Sequence, residues 1–150
     1  MRYFEHRLTV GFSDTNVVGN VYFANYFLWQ GKCREEFLRQ YAPRVLQDFR
    51  AGFGMITKES ACVFHHETFA FEEILIRMAL ERLTRTAVSM RFDYFRVQSE
   101  PMRTLVAEGR QTAMWVNPQH SIAMFPEYLH AAIRQFAGNS IDTHEAGTPA

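Results

Sequence analysis

Hydrophobic and polar positions follow two different rhythms along this chain. Residues 2–12 alternate between apolar and polar side chains, which is typical of a half-buried strand. Between Phe23 and Tyr41 there is no proline, and the apolar residues recur at steps of three and four positions: Tyr26, Trp29, Cys33 and Phe37. This spacing predicts one long helix with a single apolar face.

After Gly54 the alternation returns and persists for about sixty residues. It predicts four long strands over residues 54–67, 74–84, 87–98 and 104–116. In the third of them, Val88, Met90, Phe92 and Tyr94 fall on one face. Two shorter helices are predicted over residues 43–52 and 126–136.

The order of these elements is strand, long helix and four long strands. Strands do not alternate with helices, so a doubly wound parallel sheet is not expected. The pattern predicts an α+β fold in which a long antiparallel sheet covers one long helix. Residues 1–137 form one domain in this interpretation, and the polar segment 138–150 is predicted to be a disordered tail.

Composition narrows the possible partners. The chain has 150 residues, 47% hydrophobic and 15% aromatic, which is enough to bury a core. Sixteen basic and sixteen acidic residues give a formal net charge of zero. This balance predicts neither a nucleic acid nor a membrane as partner. The apolar content indicates instead that some surface is buried in an oligomer.

Cellular location is inferred from the N-terminus and the cysteines. The first ten residues alternate instead of forming the apolar core of a signal peptide, and no apolar run is long enough to span a membrane. We therefore expect a cytoplasmic protein in which Cys33 and Cys62 are reduced core residues.

Most potential catalytic signals in the sequence are weak. His65 and His66 are adjacent on a strand and point to opposite faces, so they cannot share a metal ion. Glu35 and Glu36 are read either as a solvated helix face or as an acid–base pair. The chain has no glycine-rich phosphate loop, no GxSxG and no CxxC. Neither a metal nor a cofactor is predicted.

The loop before the long helix is a stronger candidate site. The turn residues Gly19 and Asn20 lead the chain into the helix, whose first N–H groups lack partners and carry partial positive charge. An N–H near Phe23 could therefore hold a carbonyl oxygen that becomes an oxyanion. The alternative is that Asn16 or Asn20 merely caps the helix.

The stretch FSDTNVVGNVYFANYFLWQGKCREEFLR, residues 12–39, resembles the hot-dog thioesterases of the 4-hydroxybenzoyl-CoA thioesterase type. The matching positions are Phe12, Asp14, Thr15, Gly19, Val21, Tyr22, Asn25 and Tyr26. This resemblance implies a long sheet wrapped around one helix, dimers that pair their sheets, and active sites between protomers. The chain departs from it at Asn16, where the family has its catalytic aspartate, and at Phe23, which replaces a histidine of one branch.

A narrower resemblance uses WQGKCREEFLR and the segments APRVLQDFR, FDYFR and RLTRT. These are similar to the thioesterases that accompany the iterative polyketide synthases of enediyne biosynthesis. The resemblance implies hydrolysis of a polyketide chain from an acyl carrier protein, through its phosphopantetheine thioester, by a dimer or tetramer. The released β-keto acid could lose CO₂ unaided. The alternatives are a general acyl-CoA thioesterase and a non-catalytic acyl-binding protein.

The resemblance also implies residue roles. Asn16 and Arg34 are expected to be catalytic, and Gly19, Asn20, Phe23, Tyr26 and Thr57 to form the oxyanion and substrate site. A neutral asparagine cannot be a nucleophile or general base, so Asn16 would orient water or the carbonyl.

Two alternatives remain for charged residues of the site. Arg34 shares a helix face with Phe23 but lies about 16 Å along the axis, so it would serve the acyl channel or a polar group further along the substrate. It could instead form an interface salt bridge with a residue such as Glu35. Asp14 is the alternative centre of the chemistry.

Overall fold

The computed structural model describes residues 1–145 and contains one five-stranded antiparallel sheet. The strands are β1 (Phe4–Thr9), β2 (Gly54–Phe64), β3 (Glu73–Leu83), β4 (Ala87–Ser99) and β5 (Met102–Val116). Their order across the sheet is β1-β3-β4-β5-β2. The first two strands of the chain therefore form the two edges, and the consecutive strands β3, β4 and β5 fill the centre.

Within residues 1–145, three helices accompany the sheet: α1 (Ala24–Tyr41), α2 (Val45–Arg50) and α3 (Glu127–Ala137). Single turns of 3₁₀ helix occur at Phe12–Asp14 and Gly138–Ser140. The predicted α+β architecture, with a long antiparallel sheet around one long helix, is confirmed. Among the described helices none is both long and apolar enough to cross a membrane.

The packing of α1 on the sheet follows the two periodicities in the sequence. The apolar face of α1 is buried, and the predicted inward face of β4 is buried as well: Val88, Met90, Phe92 and Tyr94. The intervening residues of β4, such as Ser89 and Arg91, are only partly covered. Because a strand alternates every two residues and a helix every 3.6, each element can offer one continuous apolar face to the other.

An aromatic cluster fixes the C-terminal end of α1. The ring of Phe37 lies 5.7 Å from that of Phe4, 5.2 Å from Tyr41 and 5.1 Å from Phe136. The cluster therefore joins α1 to the edge strand β1 and to α3. Edge-to-face contacts of this kind add to the free energy of simple area burial.

The segment expected to be a disordered tail is partly packed against the sheet. Ile141 is buried, and Asp142 pairs with β3: the Leu83 N–H donates to the Asp142 carbonyl at 2.8 Å. The Asp142 N–H donates in turn to the Glu81 carbonyl at 2.9 Å. Residues 138–142 thus extend the fold, because one apolar side chain covers the sheet after α3. Residues 146–150 lie outside the described part of the chain.

Both cysteines are free thiols, Cys33 in the core and Cys62 on β2. Burial raises the pKa of the Cys33 thiol to about 12 and that of Cys62 to about 11. Neither is a thiolate near neutral pH, so neither is suited to nucleophilic attack.

Truncation of the aromatic cluster is expected to be costly. Phe37 is only 2% exposed, so Phe37→Ala should lower the free energy of unfolding by about 3–5 kcal/mol through lost burial and a cavity. Urea unfolding at fixed protein concentration measures the change. The control is Met124→Ala at a largely exposed position. A loss under 1 kcal/mol for Phe37→Ala would show that the cluster does not anchor α1.

Candidate functional site

The loop that precedes α1 is held closed by Asp14. One carboxylate oxygen of Asp14 accepts the Gly11 N–H at 2.9 Å and so shapes the 3₁₀ turn. The Asp14 carbonyl accepts the Tyr22 N–H at 2.9 Å and the Asn25 Nδ2 at 2.7 Å. The two ends of the loop are therefore joined at Asp14. This turn also explains why β1 ends at Thr9, earlier than the sequence pattern predicted.

Asn16 builds the tip of this loop. Its side-chain Oδ1 accepts the Val18 N–H at 3.0 Å, and its N–H donates to the Asn20 carbonyl at 2.9 Å. Gly19 adopts φ +92°, a conformation that favours glycine. The Asn16 residue is exposed, and its Nδ2 has no hydrogen-bond partner among residues 1–145. It thus keeps a free donor while its oxygen is engaged.

Neither asparagine caps α1. The residue before the helix is Phe23, and no side chain caps it. Asn20 instead donates from Nδ2 to a carboxylate oxygen of Glu67 at 3.1 Å and forms a bridge with Phe69. Its Oδ1 is buried with no partner among the described residues. Capping is therefore wrong as an explanation of this loop, and Asn20 fastens the loop to the segment after β2.

Phe23 presents a free backbone donor at the start of α1. Its side chain is 56% exposed and contacts the rings of Tyr22 and Phe64. Across the described chain, its N–H has no acceptor. The N-terminus of an 18-residue helix adds partial positive charge at this point. The geometry can therefore stabilise an oxygen that gains negative charge.

Tyr26 lines a cavity of about 210 Å³ together with Asn20 and Phe23, whereas Thr57 does not line it. The Tyr26 side chain is buried, its hydroxyl is 2.6 Å from Thr68 Oγ1, and its carbonyl accepts from the Tyr94 hydroxyl. Burial raises the pKa of Tyr26. Thr57 is exposed on β2, beside a β-bulge. Tyr26 is thus held in the core, and Thr57 on the free edge of the sheet.

A groove of about 730 Å³ runs along α1. Asp14 and Asn25 lie at its N-terminal end, and Arg34 lies further along the helix. Apolar side chains make up much of the wall: Leu28, Trp29, Leu38, Phe49, Phe53 and Met55. The structure brings Asp14 and Arg34 to one groove. Asn16, Gly19, Asn20, Phe23, Tyr26 and Thr57 do not line it.

Arg34 lines the groove without an ionic partner within salt-bridge distance among the described residues, and Asp14, Lys32 and Glu35 are the other charged residues of the groove wall. The Arg34 Nη1 donates to Gln111 Oε1 at 2.8 Å. Glu35 is 3.9 Å from Lys32 instead. Burial lowers the pKa of Arg34, yet an arginine remains protonated at neutral pH. Its charge is therefore available to a ligand.

Two buried glutamines were missed in the sequence interpretation. Gln30 is fully buried on α1 and Gln111 is 5% exposed on β5, and both belong to the hydrogen-bonded chain that ends at Arg34. Gln30 follows Tyr26 by four positions, so a polar residue at this spacing on an apolar face was a visible signal. The described residues contain no group of three or more His, Cys, Asp or Glu side chains that could hold a metal ion.

The geometry of Asn16 predicts how its variants separate folding from chemistry. Asn16→Asp keeps an oxygen for the Val18 N–H, so it should retain the wild-type melting temperature. Asn16→Ala removes that bond and should cost about 1 kcal/mol or less of stability at this exposed site. If the Nδ2 group orients the reacting carbonyl or water, both changes should lower thioester release by roughly 10²–10³-fold.

Asn117 provides a matched control for Asn16. Its Oδ1 accepts the N–H groups of Gln119 and Ser121 in a turn that does not line the groove. Asn117→Ala should therefore lower the melting temperature without a comparable loss of release rate. Equal release rates for wild type and Asn16→Ala, with only a lower melting temperature, would assign Asn16 to the turn alone.

The chain is similar to known proteins in both sequence and fold. The family model described as the thioesterase-like superfamily matches residues 10–133. Among solved structures, the dynemicin thioesterase, whose crystal structures reveal induced-fit and allosteric effects upon polyene binding, is 39% identical, with a TM-score of 0.82 over 89% of this chain and 96% of that chain. A search of curated proteins finds no match.

More distant structures share the fold alone. The hypothetical protein SAV2348 from Staphylococcus aureus, solved in complex with CoA, is 14% identical, with a TM-score of 0.83 over 99% of this chain and 90% of that chain. Slr0204, a 1,4-dihydroxy-2-naphthoyl-CoA thioesterase from Synechocystis, is 16% identical, with a TM-score of 0.79 over 87% and 95% of the two chains.

Proposed function

The chain belongs to the thioesterase-like superfamily, and we propose that it hydrolyses the thioester between a long polyketide chain and an acyl carrier protein. The hot-dog fold and the thioester hydrolase activity expected from the sequence are confirmed by the family match and the named thioesterase neighbours. The proposal concerns the substrate, the partner and the residues that act on them.

The groove along α1 is the observation that carries the substrate assignment. Its apolar wall suits an unsaturated hydrocarbon chain, and the unpaired Arg34 suits a polar oxygen on that chain. The 39% identical dynemicin thioesterase binds a polyene. A polyketide with an apolar tail and a β-keto thioester head combines both features in one molecule. The iterative synthase of an enediyne pathway is the proposed source.

Catalysis by this site relies on orientation and electrostatic stabilisation. The acyl chain lies in the groove and extends beyond its N-terminal end, so that the thioester carbonyl lies outside the groove and accepts the Phe23 N–H. The free Nδ2 of Asn16 donates to the carbonyl or to water, which a carboxylate at that position could not do. Water adds to the carbonyl carbon and loses a proton to solvent, an oxyanion forms, and the C–S bond breaks as the pantetheine sulfur leaves and takes up a proton from solvent.

The reactive head group of the substrate reduces the need for a base. A β-keto thioester has a more electrophilic carbonyl than a saturated acyl thioester, and its acid product loses CO₂ without the enzyme. Asn16 and Arg34 are the proposed catalytic residues, with Gly19 and Asn20 shaping the loop. Tyr26 and Thr57 stay assigned to the substrate site as supporting groups.

A homo-oligomer in the cytoplasm is proposed as the working form. Strand β2 is a sheet edge whose residues are mostly exposed on both faces, including Ile56, Val63 and Phe64. An exposed edge of this length offers unpaired backbone groups that can pair with another chain.

Mass measurements test this assembly. Static light scattering should give a dimer or tetramer of the 17.5 kDa chain, and Val63→Asp should shift it towards smaller species by placing a charge in the contact. Val17→Asp, at a fully exposed position, is the control. An active wild-type monomer would contradict the prediction.

Arg34 variants and a substrate series test the function. Release of a β-keto polyene from an acyl carrier protein is compared with release from CoA and with hydrolysis of palmitoyl-CoA. Arg34→Ala should lower polyketide release by about 10²-fold, and Arg34→Lys should restore only part, because a point charge replaces a planar fork. The control is Arg39→Ala, whose side chain is exposed and pairs with Glu36.

The other outcomes would support alternative functions of the protein or of Arg34. Preference for palmitoyl-CoA would support the general acyl-CoA thioesterase. Tight acyl binding without turnover of any thioester would support the non-catalytic alternative. Wild-type release by Arg34→Ala would assign Arg34 to structure.

A further inference from the structure

We propose that Gln111 is a positioning residue that holds the Arg34 guanidinium in the groove without neutralising its charge. The inference rests on the proposed function, because it concerns the same groove and the same reaction. Gln111 lies on β5, opposite Met90 of β4, on the face of the sheet that packs against α1. The Gln111 side chain can therefore contact α1 from the sheet.

The contact between the two side chains is direct and directional. Arg34 Nη1 donates to Gln111 Oε1 at 2.8 Å, and Gln111 is 5% exposed. A buried amide has two donors and one acceptor, so its orientation depends on what lies on its nitrogen side. Gln111 Nε2 faces Gln30 Oε1 at 3.5 Å, a weak contact that agrees with the orientation in which Oε1 accepts from Arg34.

Gln30 is itself fixed by the edge strand. Ser60 Oγ donates to Gln30 Oε1 at 2.9 Å, and Gln30 Nε2 donates to the Ala61 carbonyl at 3.2 Å. Gly109 leaves room for this amide, because a Cβ there would lie 2.4 Å from Gln30 Nε2. The chain from β2 through Gln30 to Gln111 thus agrees with Oε1 of Gln111 facing Arg34.

The choice of amide has an electrostatic consequence. A glutamate at position 111 would hold Arg34 equally well by geometry, but it would cancel most of the positive charge at short range. The glutamine supplies only a dipole. The guanidinium keeps its charge and its other N–H donors for an anionic or carbonyl oxygen of the substrate. Gln111 thus anchors Arg34 without neutralising its charge.

A matched set of variants tests this separation. Gln111→Glu changes the charge and little of the shape, whereas Gln111→Met removes the acceptor and leaves the charge of Arg34. The probe is the N-acetylcysteamine thioester of 3-oxododecanoic acid, and kcat and KM are measured separately. The control is Gln40→Glu, the same exchange at an exposed position of α1.

Gln111→Glu should fold with a melting temperature near that of wild type and lower kcat by about 10²-fold, with a smaller change in KM. Gln111→Met should lower kcat less, and Gln40→Glu should not lower it. Adding Gln111→Glu to Arg34→Ala should cause little further loss, because both act through one charge. A wild-type kcat in folded Gln111→Glu, or fully additive losses in the double variant, would overturn the inference.

Binding of 3-hydroxydodecanoate, a stable analogue of the product acid, gives a readout that needs no turnover. Gln111→Glu should weaken it more than Gln111→Met does. If the wild type hydrolyses no thioester, the proposed function is refuted. The affinities of Gln111→Glu and Gln111→Met for the acid would still test the role of Gln111. Equal affinities for wild type and Gln111→Glu would refute that role.

Discussion

The burial of α1 against the inner face of the sheet is the constraint on which the site depends. The apolar stripe of this helix fixes its rotation, and the aromatic cluster around Phe37 fixes its far end. One polar residue, Gln30, lies on the buried side and must be satisfied there. Its partners on β2 and the space above Gly109 meet this need. Arg34 follows one turn later and therefore faces the groove.

The electrostatics of the site depend on amides, a helix start and the Arg34 guanidinium, and Lys32 and Glu35 also line the groove. Asn16 uses its oxygen to shape the loop and keeps its nitrogen free, while Gln111 uses its oxygen to hold Arg34. Two carboxylates, Asp14 and Glu35, line the same groove, and one oxygen of Asp14 is engaged by the Gly11 N–H. In the proposed mechanism the Phe23 N–H and Asn16 Nδ2 donate to the oxygen that gains negative charge, while Arg34 acts further along the groove.

Local patterns in the sequence predicted most of the fold because helix and strand periodicities are local properties. The stripe through Tyr26, Trp29, Cys33 and Phe37 predicted α1, and the alternation in β4 predicted its buried face. The site was less predictable. The contact between Arg34 and Gln111 joins residues 77 positions apart, and the partner of each asparagine depends on loop geometry. The packing of residues 138–142 on β3 likewise depends on a surface that only the folded sheet creates.

The pH dependence of kcat tests most directly whether this site works without a carboxylate base. The measurement compares wild type with Asp14→Asn, which keeps an oxygen for the Gly11 N–H. We predict that both show the same profile, with no acid limb near pH ~4–5 that belongs to a carboxylate. An acid limb in wild type that disappears in Asp14→Asn, together with a large loss of kcat, would contradict the account and make Asp14 the base.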